Sequence, residues 1–408
     1  MTTSTMTEQA DTAAPDDDVA ERLDGDWGRR ALARLRVSRS GWLTVGLTVV
    51  LVVIAGGLSA ALILSTGGSP SGSLHAVWTG SMANAAGWST TLLNTAPLLL
   101  VAAGTCIAAT AGTFNIGQEG QVLIGAMAGA FVGLRLSVQG PLLAVLVLVA
   151  AALGGALWAG LSALMYRYRN VNIPVSTLLM TFLAVELVDW MVSSPSILQE
   201  TAQGSSGLAS SVSNPLPAAG RLATTGQYPS LQLNAGLYIA VILTALTAIM
   251  LTRSRWGFRL RMMGLSPLAA KHAGVRVALL SGVALAISGA FAGLAGGVLL
   301  ASPIGSNRLQ SGISDNVGWD GLLVALVARN RPGVAVPVAL LFGVLRAGGD
   351  FLSSTGVPYF LVDVVKSLLV LAFVAPPILI DAVLRRRASR GVVAHLPAAP
   401  ATPEVAAS

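Results

Sequence analysis

The stretch Asn115-Ile-Gly-Gln-Glu-Gly-Gln-Val-Leu123 returns in degenerate form as Asn316-Val-Gly-Trp-Asp-Gly-Leu-Leu-Val324. The two copies start 201 residues apart, at positions 115 and 316, and each places an amide, two glycines and a carboxylate at the head of an apolar run. A chain that repeats such a segment is predicted to consist of two similar halves. Because polar groups at matching points of two membrane halves are typical of substrate sites, the repeat predicts a translocation pathway.

The composition is that of a membrane protein. Of 408 residues, 54% are hydrophobic and 11% are charged, and the mean hydropathy is +0.72. Soluble domains carry about 25% charged residues. The apolar runs are long enough for helices that cross a bilayer, which need about 20 residues each. The single cysteine, Cys106, leaves no partner for an intrachain disulfide.

Ten apolar runs predict an all-α, polytopic membrane protein of about ten transmembrane helices. The runs are 42–64, 91–112, 114–134, 141–166, 172–193, 236–252, 277–301, 318–328, 333–347 and 360–383. They lack period-two alternation, which selects helices over the strands of a barrel. Runs 318–328 and 333–347 are short, and we expect half-helices or tilted elements there.

Basic residues assign the orientation, because segments rich in arginine stay in the cytoplasm. Five arginines between Arg29 and Arg39 precede the first run. Ten crossings then place both termini in the cytoplasm and the loop 194–235 outside. The basic excess follows from this topology, so no nucleic-acid binding is predicted. The predicted organisation is a disordered, basic cytoplasmic arm at 1–40, a transmembrane domain at 41–385 with a cytoplasmic loop at 253–276, and a disordered cytoplasmic tail at 386–408.

The two motif copies carry the candidate substrate-pathway residues. They follow spans that run in opposite directions, which predicts inverted-topology repeats. The spacing of Asn115, Gln118 and Glu119 places them on one helix face. A carboxylate within a span costs roughly 2.5–3.5 kcal/mol, so Glu119 is expected to face a cavity or a partner. The alternative is that Glu119 and Asp320 only tie helix ends together. The full predicted set is Asn115, Gln118, Glu119, Asn316, Trp319 and Asp320.

Glycines recur at every fourth position on two spans. They are Gly125, Gly129 and Gly133 on one span and Gly289, Gly293 and Gly297 on another. Such ladders let helix backbones approach closely. We interpret them as packing surfaces without a role in transport.

The segment from Arg261 to Arg276 lies between two spans on the predicted cytoplasmic side. Pro267 can begin a short helix and Gly274 can end it, and the alanines between them give that helix a smooth face. A helix of this kind suits docking into a groove of another protein, whereas the alternative is a solvated connecting loop. The predicted coupling residues are Gly264, Leu265, Ser266, Pro267, Ala269, Ala270, Ala273 and Gly274.

Three segments in this order resemble the permease subunits of ATP-binding-cassette importers of the branched-chain amino acid and simple-sugar superfamily. They are Phe114-Asn-Ile-Gly-Gln-Glu-Gly-Gln121, Gly264-Leu-Ser-Pro-Leu-Ala-Ala270 with Ala273-Gly274, and Gly318-Trp-Asp-Gly321 with Val324-Ala-Leu326. The first segment is similar to the nucleoside and simple-sugar subgroup. The resemblance covers residues 40–385, and Ser266 stands where the family usually has asparagine.

The resemblance implies an importer of nucleosides or simple sugars in the cell membrane. An external binding protein would deliver the substrate to two permease subunits, of which the second is a copy of this chain or a related one. Two cytoplasmic ATPase subunits would drive transport. Lys271 and Lys366 are the only lysines and neither lies in a P-loop sequence, so ATP and Mg²⁺ are expected on the ATPase chain. The permease is expected to bind no cofactor and to be no enzyme.

Other functional classes find less support in the sequence. His75, His272 and His395 lack the spacing of metal ligands, and no metal site is predicted. A secondary transporter driven by an ion gradient is the alternative, because inverted repeats and buried carboxylates also occur there. Such a transporter needs no docking helix.

Overall fold

The chain folds almost entirely into α-helices. The computed structural model describes residues 39–65, 67, 69–200, 211–226, 230–303 and 306–354, and separate helical residues between 364 and 380. Twelve α-helices with defined ends lie in these ranges, which confirms the all-α prediction. In chain order they are α1 Arg39–Ser65, α2 Pro70–Ser81, α3 Ala85–Thr110, α4 Gln118–Arg135, α5 Leu142–Arg169, α6 Ile173–Ser193, α7 Ala235–Arg253, α8 Arg255–Leu265, α9 Pro267–His272, α10 Val277–Ala301, α11 Val317–Val327 and α12 Pro332–Ser354.

Seven of these helices are long and apolar enough to cross a membrane. They are α1, α3, α5, α6, α7, α10 and α12. The polytopic membrane fold is therefore confirmed, whereas the count of ten spans and the inverted repeat stay predictions. The arm at 1–38, most of the run 360–383 and the tail lie outside the described residues.

Two helices differ from the sequence prediction. Helix α12 was expected to be short, yet it extends from Pro332 to Ser354 over 23 residues. Helix α2, with the sequence Pro-Ser-Gly-Ser-Leu-His-Ala-Val-Trp-Thr-Gly-Ser, was not predicted, because its small and polar residues give a weak apolar pattern. Packing against α12 explains why it forms: an added methyl group at Gly80 or Gly348 would overlap the facing helix. The helix α11, with 11 residues, has the expected half-length.

By its contacts the chain divides into two units. The larger one, Ile54–Val374, holds the core, with α3 at its centre and Leu98 to Ala103 fully buried. Helices α7, α10, α11 and α12 pack around α3, while α4 and α5 pack against α10. The other unit comprises Met1–Val53 and Ala375–Ser408, of which residues 39–53 form the first part of α1 and residues 375–376 and 379–380 are helical.

Glycines form the contact between α4, α5 and α10. A methyl group at Gly125 would overlap the backbone of Gly293, and one at Gly155 would overlap Gly289 and Gly293. Both predicted ladders therefore contribute to one contact, which we call the glycine seam. Because lipid tails are as apolar as leucine, close van der Waals packing rather than water exclusion stabilises such a contact.

The loop predicted to be external, 194–235, contains no α-helix in its described residues before α7 begins at Ala235. It has a 3₁₀ turn at Ala218–Gly220 and a pair of antiparallel strands of two residues each, Thr224–Thr225 and Leu233–Asn234. The amide of Leu222 donates to the carbonyl of Ala301 (2.8 Å) and that of Leu216 to the carbonyl of Asn307 (2.7 Å). These bonds fasten the loop over the connection between α10 and α11.

The glycine seam can be tested with two substitutions on α5. Gly155→Val should destabilise the protein by about 3 kcal/mol, because backbone atoms cannot yield as side chains do. Gly160, five residues further along the same helix, has no neighbour within 4 Å of an added Cβ, so Gly160→Val is the matched control. The thermal midpoint and the yield of monodisperse protein in mild detergent are the measurements. Equal losses in both variants would contradict the seam.

Candidate functional site

The first motif lies in a break between α3 and α4. Helix α3 ends at Thr110, residues 113–116 have no regular secondary structure, and α4 begins at Gln118. Asn115 therefore lies in the break and not on α4. The helix face predicted to carry Asn115, Gln118 and Glu119 begins only at Gln118. Gly117 precedes the helix and an added methyl group there would overlap the backbone of Thr177 in α6. Only glycine fits at that position.

The amide of Asn115 is saturated by the protein itself. Its Nδ2 donates to Gln121 Oε1 (2.9 Å) and to Ser288 Oγ (3.1 Å). Its Oδ1 accepts from Gln121 Nε2 and from the Gly117 amide, each at 3.1 Å. Asn115 is 2% exposed. These bonds fix the break against α10.

Gln118 also points into the core. Its Nε2 donates to Thr105 Oγ1 at 2.6 Å, and to Ser288 Oγ at 3.4 Å. Its Oε1 is buried and has no hydrogen-bond partner in the part of the chain that the structure describes. An unpaired buried acceptor costs about 1–3 kcal/mol. Asn115 and Gln118 therefore share Ser288 as a partner, whereas Glu119 binds Ser314 and Gly318.

The carboxylate of Glu119 joins the two motif copies. Its Oε1 accepts from Ser314 Oγ, and its Oε2 accepts from the amide of Gly318 at 2.7 Å. Gly318 is the second residue of α11, so Glu119 supplies the acceptor that the first turn of a helix lacks. A methyl group at Gly318 would overlap the backbone of Glu119. The N-terminal ends of α4 and α11 thus meet inside the bundle.

Helix α11 starts from a left-handed turn that Arg346 of α12 holds. Asp315 and Asn316 have φ values of 42° and 62°, a left-handed conformation that is uncommon for residues other than glycine and that Asp and Asn adopt more often than most. Arg346 Nη1 donates to the Asp315 carbonyl (2.9 Å) and to Asp320 Oδ2 (2.8 Å), and Nη2 donates to Asp315 Oδ2 (2.6 Å). Arg346 is 6% exposed. One buried guanidinium therefore ties the turn to the first turn of α11.

A cavity of about 240 Å³ opens beside this junction. It lies between α4, α6 and the segment before α11. Its lining residues are Glu119, Leu123, Val185, Val188, Asp189, Gly312, Ser314, Asp315 and Asn316. Carboxylates and an amide on apolar walls give it hydrogen-bond acceptors for a polar ligand.

The predicted pathway residues fall into three groups. Glu119 and the exposed Asn316 line the cavity, Asn115 and Gln118 brace the core, and Asp320 pairs with Arg346. Trp319 is partly buried and is not among the cavity's lining residues. Sequence reasoning missed Ser314, Asp189 and Arg346 as members of the site. An arginine within an apolar run was the available signal for Arg346, because a charge there needs a partner.

The predicted coupling segment forms a short helix with defined ends. Ser266 is the N-cap of α9, and its side chain accepts from the Ala269 amide at 3.3 Å, the role that asparagine plays equally well. Pro267 is the first residue of α9, and Gly274 follows the helix with φ of 81°. The chain therefore turns as the sequence predicts.

The exposed face of this segment is apolar. Leu265 is 88% exposed and Leu268 is 66% exposed, whereas Ala270 is fully buried against its own chain. Pro267, Ala269, Ala273 and Gly274 are also exposed. The two leucines are the largest side chains on the surface available to a partner, and Ala270 is not part of that surface.

Gly264 connects the segment to the first motif. A methyl group at Gly264 would overlap the carbonyl of Thr110, and one at Gly112 would lie 3.0 Å from the Gly264 Cα. Both contacts lie at the end of α3, just before the break that holds Asn115. A backbone contact therefore links the α8–α9 turn to the motif.

Known proteins resemble this chain over most of its length. A family model described as branched-chain amino acid transport system / permease component matches residues 87–374. The glucose ABC transporter permease protein TsgB13 of Haloferax volcanii is 29% identical over 81% of this chain and 87% of its own length. No solved structure matches the chain significantly.

Two bacterial relatives extend the comparison. The guanosine ABC transporter permease protein NupP of Bacillus subtilis is 28% identical over 87% of this chain and 99% of its own length. The nucleoside ABC transporter permease protein NupB of Lactococcus lactis subsp. cremoris is 27% identical over 80% and 89%. The family match covers both motif copies and the segment between α8 and α10. The chain therefore belongs to the family of branched-chain amino acid transport system permease components, and it is an ABC transporter permease of the branched-chain amino acid, sugar and nucleoside type.

Proposed function

We propose that this permease carries nucleosides or simple sugars into the cell as part of an ATP-driven importer. The observation that carries the proposal is the meeting of two helix N-termini at a cavity with hydrogen-bond acceptors, in a chain whose relatives are named for guanosine, nucleosides and glucose. Discontinuous helices that meet at a polar cavity are typical of substrate sites in membrane transporters.

The chemistry of the cavity favours a neutral, hydroxyl-rich substrate. Carboxylates only accept hydrogen bonds when ionised, and sugar hydroxyls donate them. Glu119 and Asp189 present such acceptors, and the Asn316 side chain adds an amide. A branched-chain amino acid would place its ammonium group on these carboxylates, but the described lining of the cavity holds no basic side chain to pair with its own carboxylate. Nucleosides and glucose share the required hydroxyl groups.

Partner subunits complete the proposed importer. Two ATPase subunits bind ATP and Mg²⁺ and dock on the α8–α9 turn, because Leu265 and Leu268 form an exposed apolar pair there. A second permease, identical or related, and an external binding protein supply the rest of the pathway. The orientation proposed for the cell membrane has both termini and the segment 253–276 in the cytoplasm and the loop 194–235 outside.

Uptake of labelled solutes tests the substrate class. Cells or vesicles that hold the intact complex should take up nucleosides or simple sugars and leave branched-chain amino acids outside. Uptake should disappear in a complex with an inactive ATPase and persist when an uncoupler removes the ion gradient. Uptake of amino acids alone would contradict the substrate, and dependence on the ion gradient would favour a secondary transporter.

Glu119→Gln tests the junction of the two motif copies. The amide keeps the shape, but its single oxygen can replace only one of the two acceptor oxygens that bind Ser314 and Gly318. The remaining bond is also weaker, because bonds to a charged acceptor are about twice as strong as neutral ones. We expect the transport rate to fall at least about tenfold while the amount of assembled complex falls less than about twofold. Glu186→Gln, at an exposed carboxylate of α6, is the matched control. A transport loss that only follows the loss of complex would make Glu119 a packing residue.

Leu268→Arg tests the docking surface. Because Leu268 is exposed, arginine at this position should leave the fold of this chain intact. The charge should disrupt the apolar contact with the ATPase, so uptake and ATPase co-purification should both fall more than about tenfold. Leu231→Arg, at an exposed leucine of the loop predicted to be external, is the control. Ala270→Arg should instead lower the yield of folded protein, because Ala270 is buried. Normal uptake with Leu268→Arg would contradict docking at this position.

A further inference from the structure

Helix α8 has one buried face and one strongly basic face. Gly257, Leu260 and Met263 are buried against the bundle. The opposite side exposes Arg255, Arg259 and Arg261, together with Phe258, which is 60% exposed. A helix with arginines and an aromatic ring on its free side is typical of elements that lie in the membrane interface.

Two adjoining cavities of about 420 Å³ and 530 Å³ flank this helix. They share Arg259, Ala273 and Val275, and we call them together the arginine pocket. Five arginines line it: Arg253, Arg255, Arg259, Arg261 and Arg276. No carboxylate is among its lining residues, and within the described part of the chain none of the five guanidinium groups has an ion pair. The pocket therefore concentrates positive charge without a counterion from the described residues.

The other wall of the arginine pocket is apolar and belongs to a span. Leu279 and Val283 of α10 line the pocket and are 56% and 40% exposed. From Arg276 to Val283 the lining follows α10 for about two turns. Trp256 adds an aromatic ring of the kind that is enriched at membrane interfaces. The pocket thus joins a cationic end to a strip of hydrocarbon on the membrane-spanning surface.

We propose that the arginine pocket binds an anionic phospholipid, with its phosphate between the arginines and one acyl chain along Leu279 and Val283. Guanidinium groups bind phosphate oxygens in bidentate fashion, and basic pockets beside spans are suited to acidic headgroups. A soluble partner protein that bound the arginines would make no use of the apolar strip along α10. The exposed Leu265 and Leu268, by contrast, lie at the α8–α9 turn and line neither cavity. The inference is independent of the transported substrate.

Lipid retention by the full chain tests the proposal. The protein is purified in mild detergent with equal amounts of phosphatidylglycerol and phosphatidylcholine, and the bound lipids are measured by mass spectrometry. The wild type should retain phosphatidylglycerol selectively. R259Q/R276Q should weaken its apparent affinity roughly 25-fold, because each arginine near an anionic surface contributes about fivefold. R167Q/R169Q changes the charge equally at two exposed arginines at the end of α5 and should leave retention unchanged.

Each other outcome overturns the lipid site. An equal loss of phosphatidylglycerol in the two double variants would mean that the lipid is attracted to positive charge anywhere on the protein surface. Displacement of phosphatidylglycerol by inorganic phosphate at the same concentration would mean a site for soluble anions. If R259Q/R276Q retained as much phosphatidylglycerol as the wild type but lost a co-purifying ATPase, the arginine pocket would be an interface with that protein. Should R259Q/R276Q fail to give monodisperse protein, R259Q and R276Q alone, each with an expected loss of about fivefold, decide the matter.

Discussion

A carboxylate from one helix caps the first turn of another inside the bundle, and the arrangement around the cavity depends on this interaction. The first amides of α11 have no partner within their own helix, and a membrane interior offers no water to replace one. Glu119 provides the acceptor, and its negative charge is favourable at the positive end of the helix dipole. Gly318 makes the approach feasible, because any side chain there would overlap Glu119. The two polar motif copies therefore hold each other in place through a direct contact.

Arg346 has the complementary role on the other side of the same turn. A buried charge is tolerated when partners surround it, and this guanidinium has two carboxylates and a carbonyl within 2.9 Å. Its two bonds to Asp315 hold that residue in a left-handed conformation, which costs about 1–3 kcal/mol without support. The start of α11 is thus fixed from α4 by Glu119 and from α12 by Arg346. Polar bonds define this region, in contrast to the glycine seam between α4, α5 and α10.

Sequence reasoning predicts the helices well and the site in part. Apolar runs give the positions of the spans, because length and composition determine what can cross a bilayer. Pro267 and Gly274 give the ends of α9 through local backbone preferences alone. The partners of Glu119 could not be predicted, since Ser314 and Gly318 are nearly 200 positions away and no periodicity links them. The burial of Ala270 was equally hidden, because it depends on which side of α9 faces the bundle.

The contact of Gly264 with Thr110 and Gly112 has a mechanical consequence. Two long side chains in contact would absorb part of a displacement, since each can change rotamer when it is pushed. Backbone atoms that touch directly have no such freedom, so this joint between the α8–α9 turn and the end of α3 is stiff. If an ATPase moves the turn, the displacement passes with little loss into the break that holds Asn115. The stiffness of this one small contact would then determine how much of such a movement reaches the cavity beside Glu119.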